Sequence, residues 1–488
     1  MMEDYLKKLI AHYRKALRIN PNNFAIYNQI AELYYEQGEL EKTLEVCQEA
    51  LQVQPDLALA PQVLYQVLQK LGFDEEEITT LQKSIQNKLG DKTFHAMVLH
   101  SEKVKPSADA KTWKDAIALG YALKQEKQWD EAIAANLKAI EIEPALSLPH
   151  SELHNIISYC ISPQPNQLEK IIASYYQIIS RRSTHPFAYV VLGDMLTKEG
   201  KIADAIASYG NAIYQDTYLT EKLPQKYNNL NHKASHVNFL IIGVGKSGTT
   251  SLFYYMCQHP QILPPIQKEL DFFNLKFELG IDWYLAHFSP IPNEGGFLTG
   301  EATPWYLGTD GVEEKVFQLF PNIKLIVVLR NPVARAISHY YMNLSMTENR
   351  SLEEAITSEM TILRGIGDPT QVSEKYWQTE KGYLWFGLYS YFLEKWMALF
   401  PREQFLILHS EDLYNQTANT LQQVFEFLEI PDYSLSDYPK YNSGSYPNIS
   451  HDLHQKLSDF FRPHNQKLED YLGKKFAWEE CSKIIGGN

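Results

Sequence analysis

Cysteine is scarce in this chain of 488 residues, which has four: Cys47, Cys160, Cys257 and Cys481. They are far apart and form no Cys-x-x-Cys pair, which argues against a disulfide framework or a cysteine zinc site, so we expect reduced, buried thiols. Long apolar runs are also lacking, and the longest, such as LIVVL at 325–329, are too short to cross a bilayer. The segment MMEDYLKKLIAHYRKAL is charged throughout and has no apolar signal core, so we expect a cytoplasmic protein.

Positive charge is in short supply in the second half of the chain. Residues 1–235 hold 25 Lys+Arg and 29 Asp+Glu (−4), and residues 236–488 hold 20 and 30 (−10), which together give the formal net charge of −14. Such a balance is a poor electrostatic match for nucleic acid or for a heavily anionic polymer. The hydrophobic fraction of 44% is ordinary for a globular protein, and the length suggests about three domain-sized units.

The first half of the sequence repeats itself. Three segments look alike: YRKALRINPNN, CQEALQVQPDL and NLKAIEIEPAL. Pro21 and Pro55, in the first two, are 34 residues apart, and this is the tetratricopeptide period. The chain therefore resembles tetratricopeptide repeats, which are helical hairpins with small residues where the two helices approach. The units lie at Phe24–Leu57, from Trp113 and from Pro186.

These patterns predict three parts. Residues 1–220 form a tetratricopeptide α-solenoid with a concave face suited to a protein partner. Residues 221–236, EKLPQKYNNLNHKASH, are polar and aperiodic and form a linker. Residues 237–488 form the domain that carries the chemistry, because solenoid arrays have none of their own.

The stretch NFLIIGVGKSGTTSLFYYM, residues 238–256, reads as strand, glycine-rich loop and helix. It matches G-x-G-x-x-G, but a dinucleotide-binding turn has no lysine at the position of Lys246. In addition, Glu269, the acid about 20 residues further on, follows two prolines instead of a strand. A nucleoside-triphosphatase loop needs lysine directly after its second glycine, where this chain has Thr249, so the stretch does not match that loop. One ammonium among main-chain N–H groups at a helix start suits a single phosphate and its leaving oxygen. The predicted binding residues are Gly245, Lys246, Ser247, Gly248, Thr249, Thr250 and Ser251.

A second anion site is predicted after the strand KLIVVLR. Arg330 lies at its carboxyl end, where open α/β sheets bind ligands, and Ser338 lies about two turns along the next helix. A guanidinium and a hydroxyl there can hold a terminal phosphate by charge-assisted hydrogen bonds. The sequence offers no convincing metal cluster, so we expect a reaction without a metal.

From about 238 to 480 the chain resembles sulfotransferases that use 3′-phosphoadenylyl sulfate (PAPS), in particular the heparan-sulfate-type carbohydrate sulfotransferase domain. Six blocks carry the resemblance: FLIIGVGKSGTTSL, KELDFFN, GIDWYLAHF, GEATPWYL, IKLIVVLRNPVARAISHYY and FFRPHNQKLEDYLGKKFAW. It implies an α-solenoid followed by an α/β domain with a central parallel sheet of P-loop-like topology. It also implies PAPS as the sulfuryl donor and in-line transfer to an acceptor hydroxyl, with a carbohydrate as the expected acceptor.

The resemblance implies roles for individual residues. Glu269 is the general base, and Lys246 supports the departing phosphate oxygen as well as binding the sulfuryl donor. Since ELDFF places Glu269 among apolar side chains, we expect desolvation to make its carboxylate a stronger base. Further contacts to the sulfuryl donor are expected from Ser443, Gly444 and Ser445.

Departures from the family pattern leave alternatives open. Asp271 and Ala302 stand where the family often has basic residues, and the late loop YNSGSYP is neutral, so a neutral sugar, lipid or small-molecule hydroxyl fits better than a heparan-like acceptor. A second hypothesis is a tetratricopeptide adaptor whose nucleotide-binding domain has lost catalysis. A third is a magnesium-dependent kinase. The sequence does not identify the acceptor, the adenine-stacking residue, the solenoid's partner or the oligomeric state.

Overall fold

The computed structural model describes Val46 and residues 113–161, 163–180, 186–216, 222, 234–291, 296–344, 348–366, 372, 376, 379–435, 438, 449–476 and 478. The predicted repeat Phe24–Leu57, apart from Val46, and the predicted loop at 441–447 lie outside the described residues. The described chain falls into two compact units that divide between Lys201 and Ile202. Within these ranges, no helix is both long and apolar enough to cross a membrane.

From Trp113 onward, the described residues of the first unit form helical hairpins, as predicted. Their helices are α1 (Trp113–Gln125), α2 (Trp129–Ile142), α3 (Ser147–Asn155), α4 (Pro165–Ser180) and α5 (Phe187–Lys198). Small residues let α1 and α2 approach closely: Ala132 and Ala139 are fully buried, and a Cβ atom on Gly120 would lie 2.8 Å from Asn136 Nδ2. The tetratricopeptide prediction for the unit from Trp113 is confirmed, because its small positions are where the helices meet.

Polar pairs connect the first helices of successive hairpins in this unit. Lys124 of α1 pairs with Glu152 of α3 at 2.6 Å, and His154 of α3 bonds Asp194 of α5 through Nε2 and Oδ2 at 2.8 Å. All four side chains are largely buried. The pairs therefore fix the stacking of neighbouring repeats, which depends on contacts between adjacent units.

The second unit has a five-stranded sheet with the order β2-β3-β1-β4-β5, in which every pair is parallel. The strands are β1 (Phe239–Gly243), β2 (Ile262–Leu263), β3 (Leu298–Ala302), β4 (Lys324–Leu329) and β5 (Phe405–His409). The runs FLIIG and KLIVVL are apolar almost throughout because parallel strands are covered on both faces. The predicted α/β domain with a central parallel sheet is confirmed.

Helices precede, connect and follow these strands. They are α6 (Ile202–Gln215), α7 (Thr249–Cys257), α8 (Ile281–Leu285), α9 (Val312–Leu319), α10 (Pro332–Leu344), α11 (Leu352–Ile366), α12 (Tyr389–Leu399), α13 (Ser410–Asn415), α14 (Thr417–Leu428) and α15 (His451–Leu472). Since β1 lies between β3 and β4, the segments that follow these three strands meet at one edge of the sheet. That edge positions the candidate site.

Helix α6 belongs to the second unit, although its sequence continues the third predicted repeat. The ring of Tyr209 is fully buried, with its centroid 6.0 Å from that of Trp283 and 4.0 Å from that of His287. Lys222, in the predicted linker, donates from Nζ to the carbonyl oxygens of His259 at 3.1 Å and Ile262 at 2.9 Å. Burial lowers the pKa of Lys222 to about 8. The domain limits at 220 and 236 remain predictions.

Candidate functional site

The glycine-rich loop joins β1 to α7 as the sequence predicts. Lys246 and Gly248 have φ angles of 76° and 92°, so the loop turns tightly before α7 begins at Thr249. A Cβ atom on Gly248 would lie 2.8 Å from Tyr414 Oη, which leaves no room for a side chain. The hydroxyl of Ser247 is buried and has no hydrogen-bond partner among the described residues. The loop thus presents main-chain N–H groups and an unsatisfied hydroxyl at a helix start, as an anion site requires.

Arg330 contacts this loop directly. Its Nη1 donates to the carbonyl oxygen of Lys246 at 2.8 Å, and its own carbonyl oxygen accepts a hydrogen bond from Tyr389 Oη at 2.8 Å. The next residue, Asn331, caps the start of α10, because its Oδ1 accepts hydrogen bonds from the main-chain N–H groups of Val333 and Ala334. The Arg330 guanidinium therefore lies against the loop backbone, at the carboxyl ends of the neighbouring strands β1 and β4.

Helix α10 continues the same group of residues. Lys246 Nζ lies 3.6 Å from Met342 Sδ, so the lysine side chain extends along α10. Ser338 is one helical turn before Met342 and is 4% exposed. Residues four apart share a helix face, so Ser338 is on the side of α10 that faces the loop. The structure brings together the loop, Arg330 and Ser338, which are the predicted contacts at the two ends of the sulfuryl donor.

Glu269 does not have the apolar enclosure that its neighbours predict. Its side chain is 39% exposed and its Oε1 pairs with Lys268 Nζ, whereas Leu270 and Phe272 are buried. The reason is local geometry: Glu269 and Asp271 both have positive φ angles, 58° and 53°, and the resulting turn keeps the Glu269 carboxylate outside the apolar cluster. The prediction that Glu269 is desolvated is therefore wrong. Desolvation affects Asp271 instead, where burial raises the pKa of the carboxyl.

Glu301 is a buried carboxylate whose role the sequence reasoning missed. It lies near the end of β3 and accepts hydrogen bonds from Thr303 Oγ1 at 2.7 Å, from Tyr306 Oη at 2.7 Å and from the N–H of Leu270 at 3.3 Å. Burial raises the pKa of Glu301. The bond to Leu270 attaches the Glu269 segment to β3, which is next to β1. The block GEATPWYL contained these residues, but their contact with residue 270 is long-range and has no local signal.

An aromatic group lies on the other side of the loop. A Cβ atom on Gly245 would come within 2.9 Å of Trp305 Cη2, so the indole packs on the loop backbone. The Trp305 ring centroid is 5.2 Å from that of His339 and 5.0 Å from that of Phe386. His339 is buried, and its pKa is lowered well below the ordinary value by burial and by the positive charges of Arg335 and Lys246. It is therefore a neutral ring at neutral pH.

The remaining predicted positions divide into two groups. Ser443, Gly444 and Ser445 lie outside the described residues, so their contacts stay a prediction. The last block of the resemblance forms the C-terminal part of α15 and the segment after it. This segment reaches the strand end, because Trp478 accepts a hydrogen bond at its carbonyl oxygen from Asn331 Nδ2 at 3.2 Å. In the part of the chain that the structure describes, no group of three or more His, Cys, Asp or Glu side chains could hold a metal ion.

Comparisons with known proteins agree with this geometry. Residues 237–447 match the family described as a sulfotransferase domain, and residues 10–38 match a TPR repeat. The predicted combination of tetratricopeptide repeats and a sulfotransferase domain in one chain is confirmed.

Two relatives and one solved structure illustrate the likeness. The membrane-associated sulfotransferase kil1 of Dictyostelium discoideum is 28% identical over 312 residues, which cover 50% of this chain and 66% of that protein. The heparan sulfate glucosamine 3-O-sulfotransferase 6 of Homo sapiens is 29% identical over 264 residues, 49% of this chain and 72% of that protein. A crystal structure of a sulfotransferase from Alicyclobacillus acidocaldarius is 25% identical with a TM-score of 0.42, and the match covers 50% of this chain and all of that one.

Proposed function

From the sulfotransferase domain at residues 237–447, we propose that this protein moves the sulfuryl group of PAPS to a hydroxyl of a carbohydrate, with Glu269 as the general base. The observation that carries the proposal is the hydrogen bond from Arg330 to the carbonyl oxygen of Lys246. It places a guanidinium beside the loop that suits a phosphate, and an adenosine bisphosphate has an anion at each end. The two relatives named above, a sulfotransferase and a heparan sulfate sulfotransferase, support the reaction type and a carbohydrate acceptor.

The residues present fit PAPS. The buried hydroxyl of Ser247 lacks a partner among the described residues, and the N–H groups and the helix dipole at the start of α7 favour a bound anion. These groups, with Lys246, would hold the 5′-phosphosulfate, and Arg330 with Ser338 would hold the 3′-phosphate by charge-assisted hydrogen bonds. When bound, PAPS supplies an activated sulfuryl group.

The chain's own groups then perform two tasks. Lys268 pairs with Glu269 Oε1 and orients the carboxylate, which leaves Oε2 to accept the proton of the acceptor hydroxyl. With PAPS bound, the Lys246 ammonium would lie beside the oxygen that leaves and would stabilise the charge developing there. The hydrogen bond from Leu270 to Glu301 fixes the segment that carries the base. In-line geometry follows if the acceptor lies between Glu269 and the loop.

Two substitutions test the proposal in the full-length chain. We expect Lys246→Ala and Glu269→Gln each to reduce transfer of radiolabelled sulfate by about 100-fold or more. Lys381→Ala and Glu314→Gln, at exposed positions of the same unit, are matched controls and should keep full activity. Transfer should persist in EDTA, whereas a magnesium-dependent kinase would be inhibited. Full activity of Glu269→Gln would remove the assigned base.

The adaptor hypothesis has one structural observation in its favour. Ala302 is fully buried and Asp271 is a carboxylate with a raised pKa, so these two positions supply no cation to the sulfate end of the site. An adaptor would still bind adenosine 3′,5′-bisphosphate, so calorimetry alone does not separate the two functions. Transfer to a panel of acceptors does, because an adaptor that has lost catalysis transfers to none of them.

We propose that the concave face of the tetratricopeptide part binds a protein partner, since arrays of this kind carry no chemistry of their own. Affinity capture with the full-length protein as bait would test this proposal.

We also propose a cytoplasmic location, on the grounds of the reduced cysteine pattern. Cell fractionation would test it.

A further inference from the structure

Trp305 is attached to both halves of the proposed active site. Its indole packs against the backbone of Gly245 in the loop, next to Lys246. Two residues earlier, Thr303 donates to Glu301, which in turn accepts from the N–H of Leu270 beside the proposed base. An acceptor hydroxyl has to reach both Glu269 and the loop, so a side chain connected to each of them is well placed to contact the acceptor.

The aromatic side chains here form a wall that carries no charge. Trp305 and Phe386 are both partly exposed, and their ring centroids are 5.0 Å apart in an edge-to-face arrangement. Behind them His339 is 3% exposed, and burial keeps it neutral at neutral pH. Gly308 supports this arrangement, because a Cβ atom there would lie 2.5 Å from Phe386 Cδ1. The backbone has thus made room for both rings, while part of each stays accessible.

The groups beside this wall disfavour an anionic acceptor. Asp271 and Glu269 are carboxylates on the segment attached to β3, and Ala302 at the end of β3 offers only a methyl group. The cations next to these carboxylates are already matched by them, because Lys268 pairs with Glu269 and both Lys268 and Lys276 lie near Asp271. A uronate or sulfate group on the acceptor would therefore meet the two carboxylates without an uncompensated positive charge at these positions, which costs binding energy. A neutral sugar has an apolar C–H face that stacks on an indole and hydroxyls that donate to carboxylates.

We propose that Trp305, flanked by Phe386, is the acceptor platform, and that the acceptor is an uncharged pyranose ring whose C–H face lies on the indole while Asp271 accepts from one of its hydroxyls. This inference rests on the proposed sulfuryl transfer and names the substrate class of that site. Trp305 is then a residue that determines specificity.

The test uses the full-length protein and defined probes. Methyl glucopyranoside, methyl galactopyranoside, methyl mannopyranoside and cellobiose are compared with a heparan sulfate hexasaccharide as acceptors of radiolabelled sulfate. We expect transfer to at least one neutral sugar, and a KM for it that rises about tenfold in Trp305→Ala with a smaller change in kcat. Trp305→Phe should restore the KM to within about threefold. Tyr471→Ala, an exposed aromatic on α15, should leave the KM unchanged.

A second measurement separates this inference from the proposed function. Titration with adenosine 3′,5′-bisphosphate should give the same Kd, within about twofold, for wild type and Trp305→Ala, which also shows that the variant is folded. If the wild type binds this nucleotide and transfers sulfate to the hexasaccharide but to no neutral sugar, or prefers the hexasaccharide, the platform is refuted and sulfuryl transfer survives. Binding of the nucleotide without transfer to any acceptor refutes the platform and supports the adaptor hypothesis. An unchanged KM in Trp305→Ala also refutes it. Failure of the wild type to bind the nucleotide refutes both.

Discussion

Arg330→Ala offers the sharpest test of the donor site, because the side chain has two possible tasks. In the structure its Nη1 bonds the carbonyl oxygen of Lys246 at 2.8 Å, which steadies the loop. In the proposed complex it also binds the 3′-phosphate. The two tasks are separated by two ligands, adenosine 3′,5′-bisphosphate and adenosine 5′-monophosphate, since only the first carries the 3′-phosphate.

The expected magnitudes follow from the bonds that are lost. A hydrogen bond to a charged group contributes about 1.5–3 kcal/mol, so removing the guanidinium from the 3′-phosphate should weaken bisphosphate binding by about 30-fold. Loss of the bond to Lys246 affects the binding of both ligands. We expect it to weaken the binding of the monophosphate by less than about fivefold, because a main-chain carbonyl near the surface can bond to water instead.

Isothermal titration calorimetry measures the four dissociation constants for wild type and variant. Arg364→Ala, which replaces an exposed arginine on α11, is the matched control and should change the dissociation constant of neither ligand. If Arg330→Ala weakens the binding of both ligands by the same factor, the guanidinium acts only on the loop, and its assignment to the 3′-phosphate fails. Weakening of the monophosphate alone would contradict the proposed orientation of the nucleotide.

Two further predictions concern the framework of the second unit. Tyr209→Ala should lower the free energy of unfolding by about 3 kcal/mol, because it empties a fully buried aromatic site. Tyr214→Ala on the same helix, where the side chain is 76% exposed, should change the free energy of unfolding by less than about 0.5 kcal/mol. Equal losses for the two variants in urea unfolding would show that α6 is not part of this unit's core. Glu301→Gln should remove a pH-dependent contribution to the free energy of unfolding. Since burial raises the pKa of Glu301 above 4.5, the wild type has this stabilising contribution below pH 4.5 and loses it as the pH rises through the folded-state pKa. Stability curves of wild type and variant that run parallel from pH 4 to 8 would contradict the raised pKa.

The parts of the site that the sequence predicts are those with local signals. An apolar run followed by glycines and a helical pattern located the loop, and an apolar run ending in Arg330 placed that residue at a strand end. The sheet order then brings both to one edge, which the parallel-strand rule anticipates without any side-chain contact.

The parts that were missed depend on packing between distant segments. Glu269 has three apolar neighbours in sequence, but a positive φ angle turns its carboxylate outward, and nothing in ELDFF predicts that angle. The hydrogen bond between Leu270 and Glu301 spans 31 positions, so residue types alone do not reveal it. Likewise, α6 has the residues of a tetratricopeptide helix, yet Tyr209 packs on Trp283 because burial against another segment overrides the repeat pattern.

The three glycines of GVGKSG show why a motif and its apparent meaning can differ. A Cβ atom on Gly243 would lie 2.8 Å from Leu307 Cβ, one on Gly245 2.9 Å from Trp305 Cη2, and one on Gly248 2.8 Å from Tyr414 Oη. Each glycine is therefore required by a side chain of this protein that packs on the loop. Only Gly248 also needs its left-handed φ angle. The match to the dinucleotide-binding pattern thus arises from packing around β1. The ligand is indicated instead by the polar groups in and beside the loop, which are the Lys246 ammonium, the Ser247 hydroxyl and the Arg330 guanidinium.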